Sequence, residues 1–434
     1  MNLCMIGTGY VGLVSGTCFA DLGNRVICVD KDISKIKKLN SGISPIYEPG
    51  LDELIKKNYE VGRLTFTTDL KMAIAKSELI FICVGTPNKK KSNNVDLSFV
   101  FEAAKQIAKL AKNKKILITK STVPLGTGDA IEKLLKKLGR KNIEIISNPE
   151  FLREGEAIRD FRFPDRIVIG SNQKKYFNTL KKLYQPLINK GAKFFTTSRR
   201  GAELIKYASN AFLATKITFI NELANLCEKA NINIEDIALG MGSDSRIGSR
   251  FLRAGPAYGG SCFPKDTKGL VSTGDKFQTN LSIVKSVIKS NDNRKKIHTE
   301  KIKRILGSLK GKKIAFLGVT FKPNTDDMRD SVSLKMIPYL CKKGSKITYY
   351  DPTGQKINFA KVKNCQYKKS IKDACKNADL IVIHTEWDEF KSLEFNKIVK
   401  NKNFRIFDLR NLYNPKQMKI KKIKYYSVGR PSSH

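Results

Sequence analysis

The stretch NLCMIGTGYVGLVSGTCFADLGNRVICVD, residues 2–30, decides the fold of the first part of the chain. A short apolar run over residues 2–6 predicts a strand, residues 13–22 predict a helix, and residues 25–29 predict a second strand. The spacing Gly-x-Gly-x-x-Gly separates the first strand from the helix, and Asp30 follows the second strand. This order of elements is typical of a dinucleotide-binding βαβ unit.

Each of the three glycines and the acid has a physical reason for its place. Gly7 permits the tight turn, Gly9 lets a pyrophosphate approach the helix N-terminus, and Gly12 permits close packing of helix on strand. The carboxylate of Asp30 can accept hydrogen bonds from the ribose hydroxyls of adenosine, and it repels a 2′-phosphate. We therefore expect NAD, and not NADP, as the cofactor.

Two further predicted strands, residues 79–84 and 116–119, each lead into a polar turn with a threonine. Thr86 follows the first strand and Thr122 follows the second. Because the carboxyl ends of parallel strands line the ligand crevice of a doubly wound sheet, both threonines are candidates to face the cofactor. The alternative for each is a simple turn residue.

Two glutamates follow the predicted strand at residues 143–146. Glu150 and Glu154 lie four positions apart, so one helical turn would place both on the same face. Such a pair is ordinary charge when it lies on a surface. Because the pair follows Pro149 at a strand end, we expect it to face the site.

A long helix without proline or glycine is predicted over residues 202–229. Lys206 and Asn210 lie four positions apart in it, and small residues beside them would permit the close approach of a ligand. A lysine and an asparagine on one helix face are otherwise solvated.

A cysteine lies in the stretch Gly259-Gly260-Ser261-Cys262-Phe263-Pro264-Lys265-Asp266. The positive charge of Lys265 would favour the nucleophilic thiolate of Cys262, although an inert buried thiol is the alternative. The nine cysteines form no Cys-x-x-Cys pair, so we expect reduced thiols and no metal site. The three histidines, His298, His384 and His434, are predicted to be structural or to lie at the surface.

A second α/β domain is predicted after about residue 312, with strands at 312–317, 346–350, 379–383 and 404–407. It lacks the full glycine pattern, so we expect no second dinucleotide. Lys322, Arg329 and Arg410 follow strand ends, a suitable place to bind a diphosphate.

The formal net charge of +41 suggests nucleic acid as one possible partner. The lysines are spread over both halves of the chain without a basic arm, so a lysine-rich surface is the preferred interpretation and no nucleic acid is expected. No apolar run reaches the length of a membrane span, and no signal peptide precedes the first strand. We expect no membrane contact and a cytoplasmic location.

These motifs together resemble the UDP-glucose/GDP-mannose dehydrogenase family. The resemblance also includes Glu48-Pro49-Gly50-Leu51, Gly85-Thr86-Pro87, Ser121-Thr122-Val123-Pro124, Thr320-Phe321-Lys322 and the run from Asn148 to Gly155. That run, with Pro164-Asp165-Arg166 after it, is closer to the members that use UDP-glucose than to the N-acetylmannosamine branch.

The resemblance implies an α/β fold in which two Rossmann-like doubly wound domains are joined by a central long-helix domain. The expected boundaries are an NAD-binding domain over 1–197, a central helical and dimerisation domain with the cysteine loop over 198–300, and a UDP-sugar-binding domain over 301–434. A homodimer through the long helix is expected, and higher oligomers are possible.

The activity that the resemblance implies is a four-electron oxidation of UDP-glucose to UDP-glucuronate with two NAD per substrate. Cys262 would carry a thiohemiacetal and then a thioester. GDP-mannose or UDP-N-acetylmannosamine is the alternative substrate, because the same cysteine chemistry would serve.

The resemblance also assigns site residues. The expected catalytic residues are Cys262, Lys206, Asn210, Asp266, Thr122 and Glu154. The expected cofactor-binding residues are Gly7, Gly9, Tyr10, Val11, Gly12, Asp30, Lys35, Thr86, Thr122, Glu154, Lys265 and Arg329. The expected substrate-binding residues are Glu150, Phe151, Leu152, Arg153, Glu154, Lys206, Asn210, Arg246, Phe251, Leu252, Arg253, Ala254, Gly255, Tyr258, Gly259, Lys322 and Arg410.

Two positions depart from the family pattern. Ala257 stands where a glycine is usual, and a positive φ there would cost about 1 kcal/mol. Leu409 stands where the family often has glycine, directly before the expected diphosphate contact of Arg410.

Overall fold

A computed structural model describes residues 1–89 and 94–431, so His434 lies outside the described residues. The chain divides into two compact units. The first unit contains Met1–Ser209 and Lys268–Thr279, and the second contains Asn210–Thr267 and Asn280–His434. The three-domain division with boundaries at 197 and 300 stays a prediction.

An eight-stranded sheet forms the centre of the first unit. Its strand order is β3-β2-β1-β4-β5-β6-β7-β8. Neighbouring strands are parallel except for β6 and β7, which meet through an antiparallel pair. The strands are β1 (Asn2–Ile6), β2 (Arg25–Val29), β3 (Leu64–Thr67), β4 (Leu79–Ile82), β5 (Lys115–Thr119), β6 (Ile143–Ser147), β7 (Arg166–Gly170) and β8 (Lys193–Thr197).

Helices cover this sheet, and apolar residues of both sheet faces form its core. In β1, Leu3 and Met5 belong to one apolar cluster, and Cys4 and Ile6 belong to another. A strand that is buried on both faces is typical of a parallel sheet. The helices are α1 (Tyr10–Asp21), α2 (Ile33–Asn40), α3 (Leu51–Glu60), α4 (Leu70–Lys76), α5 (Ser98–Leu110), α6 (Thr127–Lys137), α7 (Ala157–Arg162) and α8 (Lys175–Ile188).

The second unit contains a six-stranded parallel sheet in the order β11-β10-β9-β12-β13-β14. Relative to chain order, this is the arrangement 3-2-1-4-5-6, which the first six strands of the other sheet also have. The strands are β9 (Lys313–Leu317), β10 (Lys346–Tyr350), β11 (Cys365–Tyr367), β12 (Leu380–Ile383), β13 (Arg405–Asp408) and β14 (Lys424–Ser427).

The long helix α9 (Arg199–Ala230) has 32 residues and is about 48 Å long. It begins in the first unit and ends in the second, whereas α11 (Phe263–Lys276) begins in the second unit and ends in the first. The other helices of the second unit are α10 (Ile234–Gly242), α12 (Ser282–Leu306), α13 (Ser333–Lys342), α14 (Ile371–Cys375), α15 (Phe395–Ile398) and α16 (Pro415–Ile420), with short 3-10 turns at Ile357–Phe359 and Asp388–Phe390.

Two α/β sheets, parallel except for the pair β6 and β7, and a long central helix confirm the predicted fold class. Residues 150–154 do not form the helical turn that would place Glu150 and Glu154 on one face, because α7 begins only at Ala157. The carboxylate of Glu150 accepts the backbone N–H of Leu152 at 2.5 Å, and such a local bond competes with helix formation. Gly155 then takes a left-handed conformation with φ of 79°.

No helix in residues 1–89 and 94–431 is long and apolar enough to cross a membrane.

Candidate active site

The glycine loop between β1 and α1 is packed too tightly for side chains at two of its positions. Gly7 has a φ of 99°, and a Cβ there would lie 2.9 Å from the carbonyl oxygen of Cys83. A Cβ at Gly12 would lie 1.9 Å from the carbonyl oxygen of Gly7. At Gly9, which begins α1 without a side-chain cap, a Cβ would meet nothing within 4 Å. The helix N-terminus therefore has the open, donor-rich geometry that suits a pyrophosphate.

The acid after β2 is held as a carboxylate. Asp30 accepts the backbone N–H of Thr8 at 2.9 Å and its hydroxyl at 2.8 Å. The N–H of Asp32 donates at 3.1 Å, and the Lys35 ammonium lies 3.9 Å away. Burial acts to raise the pKa of Asp30, but these hydrogen bonds and Lys35 lower it below its ordinary value. An ionised acid here fits the ribose hydroxyls of NAD.

The two threonines at the strand ends lie together. The Thr86 hydroxyl donates to the carbonyl oxygen of Thr122 at 2.9 Å. The neighbouring Ser121 hydroxyl donates to the carbonyl oxygen of Val84 at 2.7 Å. The loops after β4 and β5 are therefore hydrogen-bonded to each other. Cys83, which Gly7 approaches closely, begins the first of these loops.

The loop after β6 is bonded to the start of α1 and to the proline-rich loop before α3. The N–H of Gly155 donates to the Tyr10 hydroxyl and to the Glu48 carboxylate, both at 2.6 Å. Glu48 also accepts the N–H of Ala157 at 2.7 Å. The role of Glu48 was missed in the sequence, although its Glu-Pro-Gly-Leu motif was a signal.

A buried ion pair joins α9 to this loop. The Lys206 ammonium lies 3.1 Å from the Glu150 carboxylate, and the side chains are 4% and 5% exposed. The Lys206 ammonium also lies 5.3 Å from the centre of the Phe151 ring, and the Arg166 guanidinium lies 4.0 Å from it. Two candidate residues that are distant in sequence thus form one charged pair.

The other residues of this loop have different surroundings. Glu154 is buried. Arg153 lies nearer the surface, where its guanidinium bonds to Asp160 and to Glu156, each at 2.6 Å. Leu152 offers its backbone N–H to Glu150.

Lys120, at the end of β5, is a second buried lysine that the sequence analysis missed. Its ammonium donates to the Asn148 side chain at 3.2 Å and to the Tyr184 hydroxyl at 3.3 Å. Burial lowers the pKa of Lys120 to about 8, and the charge of Glu150 opposes this change. Glu150 therefore lies in the field of two lysines of the first unit.

The candidate nucleophile lies in the second unit, directly before α11. The carbonyl oxygen of Cys262 accepts the N–H of Asp266 at 2.8 Å, which is the first turn of the helix. The Ser261 hydroxyl lies 3.4 Å from the Cys262 sulfur. The half-buried sulfur is thus near a helix N-terminus, whose dipole stabilises a thiolate.

Asp266 is fully buried and has a cation and an amide on its two oxygens. The Lys265 ammonium lies 2.6 Å from Oδ1, and the Asn210 amide donates to Oδ2 at 2.6 Å. These bonds connect the cysteine loop to α9 within the second unit. Four of the expected residues (Asn210, Cys262, Lys265 and Asp266) therefore lie in one cluster.

The loop before the cysteine packs against strand-end loops of the six-stranded sheet. A Cβ at Gly259 would lie 2.6 Å from the carbonyl oxygen of Asp330. The N–H of Gly260 donates to the carbonyl oxygen of Arg329 at 2.8 Å. The Arg253 guanidinium donates to the carbonyl oxygen of Arg410 at 2.9 Å. Expected substrate residues from these separate segments are thus neighbours in the second unit.

Three polar side chains that the sequence analysis missed hold this loop. Asn221 accepts the N–H of Gly255 at 2.9 Å, and Arg294 donates to its carbonyl oxygen at 2.7 Å. The Asn291 amide bonds both the N–H and the carbonyl oxygen of Tyr258. Asn221 lies in α9, and Asn291 and Arg294 lie in α12, where the buried face also carries Val287 and Ile302. Buried polar residues beside apolar ones on a helix face were the available signal.

Four further residues that are expected to bind the substrate have different surroundings. Leu252 and Ala254 pack in an apolar cluster. Phe251 has a φ of 66°, an uncommon conformation for a residue with a side chain. Arg246 is exposed and bonds to Asp244 at 2.6 Å.

The three basic residues expected near a diphosphate each contact other groups of the second unit. The Arg410 guanidinium donates to the carbonyl oxygens of His384 at 2.9 Å and Phe321 at 2.7 Å, and it pairs with Glu386 at 2.8 Å. The Lys322 ammonium lies 5.7 Å from the Phe321 ring, and Arg329 bonds to Asp327 at 2.9 Å.

The two departures from the family pattern are accommodated. Among the described residues, the non-glycine residues with positive φ do not include Ala257, so the expected strain is absent. Leu409 is fully buried in an apolar cluster, and its N–H donates to the carbonyl oxygen of Ile383 at 3.0 Å.

Three family models match the chain. They describe the NAD binding domain, the central domain and the UDP binding domain of the UDP-glucose/GDP-mannose dehydrogenase family. The matched residues are 1–188, 200–293 and 315–415. The first match confirms the prediction of NAD, which the glycine loop and Asp30 fit.

Similar proteins cover almost the whole chain. A UDP-glucose 6-dehydrogenase of Rhizobium meliloti (strain 1021) is 48% identical, over 99% of this chain and 100% of the relative. A solved UDP-glucose dehydrogenase from Pyrobaculum islandicum is 32% identical with a TM-score of 0.91, over 99% and 98% of the two chains. A solved UDP-D-ManNAc dehydrogenase from Pyrococcus horikoshii is 26% identical with a TM-score of 0.86, over 99% of each chain.

Proposed function

Because the chain belongs to the UDP-glucose/GDP-mannose dehydrogenase family, we propose that it oxidises UDP-glucose to UDP-glucuronate with NAD. The observation that carries the proposal is the 48% identity to a UDP-glucose 6-dehydrogenase over 99% of this chain and 100% of the relative. The clusters around Lys206 and around Cys262 supply the groups that the chemistry needs.

The first step converts the C6 alcohol of the sugar to an aldehyde. NAD, held by the glycine loop and Asp30, would supply the acceptor for the hydride from C6. Lys206 and Asn210 stabilise negative charge on the C6 oxygen as its proton leaves. Glu150 supports the positive charge of Lys206 at 3.1 Å, and Asp266 orients the Asn210 amide at 2.6 Å. Asp266, through water or Lys206, passes on the proton.

The second oxidation passes through a covalent bond to Cys262. The thiolate adds to the aldehyde carbon, and the oxygen takes up a proton to give a thiohemiacetal. Removal of a second hydride, for which a second NAD would be the acceptor, together with the hydroxyl proton leaves a thioester. Water then cleaves the carbon–sulfur bond, which releases the carboxylate and restores the thiolate. Thr122 and Glu154 position and activate this water, and Glu150 assists.

The nucleotide part of the substrate binds in the second unit. Residues 251–255, Tyr258, Gly259, Lys322 and Arg410 hold the UDP-sugar in this proposal. Support comes from the contact of Arg253 with Arg410 and of Gly259 with Asp330, and from the match to a UDP binding domain. In this proposal, Lys265 and Arg329 bind the cofactor.

Another nucleotide sugar is the second candidate substrate. The fold similarity to the Pyrococcus horikoshii enzyme favours it, although the identity there is only 26%. Turnover of the purified protein with NAD and each of UDP-glucose, GDP-mannose and UDP-N-acetylmannosamine decides between them. We expect NADH from UDP-glucose, and NADH from either other sugar alone would contradict the proposal.

A homodimer through α9 is also proposed. Phe212, Phe219 and Leu226 follow one another at intervals of seven residues, and all three are exposed, with 66%, 48% and 60% of their surface accessible. Such a stripe lies along one side of a helix and suits a partner helix. Arg246 of a second copy would then reach the substrate. Sedimentation equilibrium checks the proposal, and a monomer at micromolar concentration would contradict it.

The cytoplasmic location stays a prediction.

A further inference from the structure

The buried carboxylate of Glu203 has no role in the steps above. Glu203 lies in α9 and is 3% exposed. Its Oε2 accepts the N–H of Gly126 and its Oε1 accepts the N–H of Gly128, both at 2.7 Å. Because these two glycines begin α6, the carboxylate caps the positive end of that helix.

The same side chain connects three segments that carry candidate catalytic residues. Glu203 lies about one turn before Lys206 in α9. The loop that ends at Gly126 begins with Ser121 and Thr122. The Ser147 hydroxyl, at the end of β6, lies 3.4 Å from Oε1 of Glu203, and the loop with Glu150 follows it. One carboxylate therefore joins the backbone that carries Lys206, Thr122 and Glu150.

The Thr122 loop is held at its other end by different bonds. The Ser121 hydroxyl bonds to the carbonyl oxygen of Val84, and the Thr86 hydroxyl bonds to that of Thr122. Those bonds fix the loop to β4, whereas Glu203 fixes its far end to α9. Without Glu203, the loop keeps its attachment to the sheet and loses its attachment to the helix of Lys206.

We propose that Glu203 is a positioning residue whose ionised carboxylate holds Thr122 at a set distance from Lys206, and that the rate of oxidation depends on this. The inference rests on the proposed function, because it is that function which gives Thr122 and Lys206 their roles. Reacting groups that shift by about 1 Å can lose on the order of 100-fold in rate, so a positioning contact of this kind has a measurable effect.

The charged groups around Glu203 come from its own helix and from α6. Arg199, in α9, bonds to Asp129 and Glu132, which both lie in α6. Burial raises the pKa of Glu203 to about 7, although the N–H groups of Gly128 and Gly126 lower it; Asp129 raises it and Arg199 lowers it. The ionised form prevails above that pH. Below that pH, the carboxylate binds a proton. One of its oxygens then faces a backbone N–H as a hydroxyl group instead of as a charged acceptor, so the cap weakens. We expect the rate to fall as the pH drops through about 7.

The test compares Glu203→Gln with the wild type. The amide has the same size, but it offers one acceptor oxygen for two backbone donors. We expect kcat to fall at least about tenfold while the KM values for UDP-glucose and NAD stay within about threefold, because the substrate contacts are unchanged. The acid limb of the rate profile near pH 7 should disappear. As a control, Ser370→Ala removes the N-cap bond to the N–H of Asp373 in the second unit and should leave kcat unchanged.

Gly128→Ala tests the same contact without removing the carboxylate. Its Cβ would lie 3.1 Å from Oε1 of Glu203 and 3.3 Å from Cδ of Arg199, so the carboxylate must move. We expect a similar loss of kcat in protein that remains folded by circular dichroism. Wild-type kcat in either folded variant, a loss that only matches the unfolded fraction, or an unchanged acid limb in Glu203→Gln would overturn the inference. Wild-type protein without NADH formation from UDP-glucose would instead refute the proposed function.

Discussion

Replacing Cys262 with serine is expected to lower the formation of UDP-glucuronate by at least about 1000-fold. A serine hydroxyl is far less ionised than a thiol at neutral pH, so it adds to the aldehyde slowly. An ester formed at that position would also be cleaved more slowly than a thioester, because an alkoxide is the poorer leaving group. We therefore expect a covalent adduct at position 262, which intact-protein mass spectrometry would detect after incubation with UDP-glucose and NAD.

A matched control is available in the same unit. Cys365, in β11, is half-buried like Cys262, and nothing connects it with the cysteine loop or with α9 in the proposed chemistry. Cys365→Ser should retain the wild-type rate. Full turnover by Cys262→Ser would refute covalent catalysis by this residue.

Replacing Lys206 with methionine is expected to have the second largest effect. The change removes the cation that stabilises negative charge on the substrate oxygen, so we expect kcat to fall about 100- to 1000-fold. It also takes the ammonium at 3.1 Å away from the buried Glu150 carboxylate, which keeps the N–H of Leu152 and the charge of Lys120. Removing one partner of a buried ion pair lowers the free energy of unfolding by about 3–5 kcal/mol, and we expect the lower end of that range here. Urea denaturation and initial rates of NADH formation measure the two effects separately.

The double variant Lys206→Met/Glu150→Gln separates stability from catalysis. It removes both charges, so the free energy of unfolding should recover by more than half while kcat stays low. Lys295→Met serves as a control, because Lys295 is also buried but pairs at 2.8 Å with a half-exposed carboxylate, that of Asp292. Its kcat should remain near the wild-type value. A folded Lys206→Met protein with kcat within tenfold of wild type would contradict the role of Lys206.

The strands and the glycine loop could be predicted because their signals are local. Apolar runs such as residues 2–6 are buried on both faces of a parallel sheet, and Gly7 and Gly12 are required by contacts within one βαβ unit. The positions of Thr86 and Thr122 followed from the rule that strand ends converge. That rule places residues at one edge of a sheet without giving their bonds.

The partners of the buried charges could not be predicted in the same way. Lys206 pairs with Glu150 and Asn210 bonds to Asp266, and both contacts depend on which segments the fold brings to α9. The absence of a helical turn at Glu150 has a related cause, because its carboxylate accepts the backbone N–H of Leu152, and such a local bond competes with helix formation.

Residues that hold loops in place were missed for a further reason. Glu48, Glu203 and Arg294 bond to backbone groups. Because nearly every residue carries the same backbone groups, the sequence does not show which of them is the partner. A buried polar residue in an apolar helix face indicates that some partner exists. It does not indicate which loop supplies that partner.

The number of NADH molecules formed for each UDP-glucose consumed tests the proposed chemistry most directly. The measurement takes purified protein, a limiting amount of UDP-glucose and excess NAD to completion, with the sugar product identified by chromatography. Oxidation of an alcohol to a carboxylate removes four electrons and NAD accepts two, so we predict two NADH and one UDP-glucuronate per substrate. One NADH per UDP-glucose, with an aldehyde as the product, would contradict it.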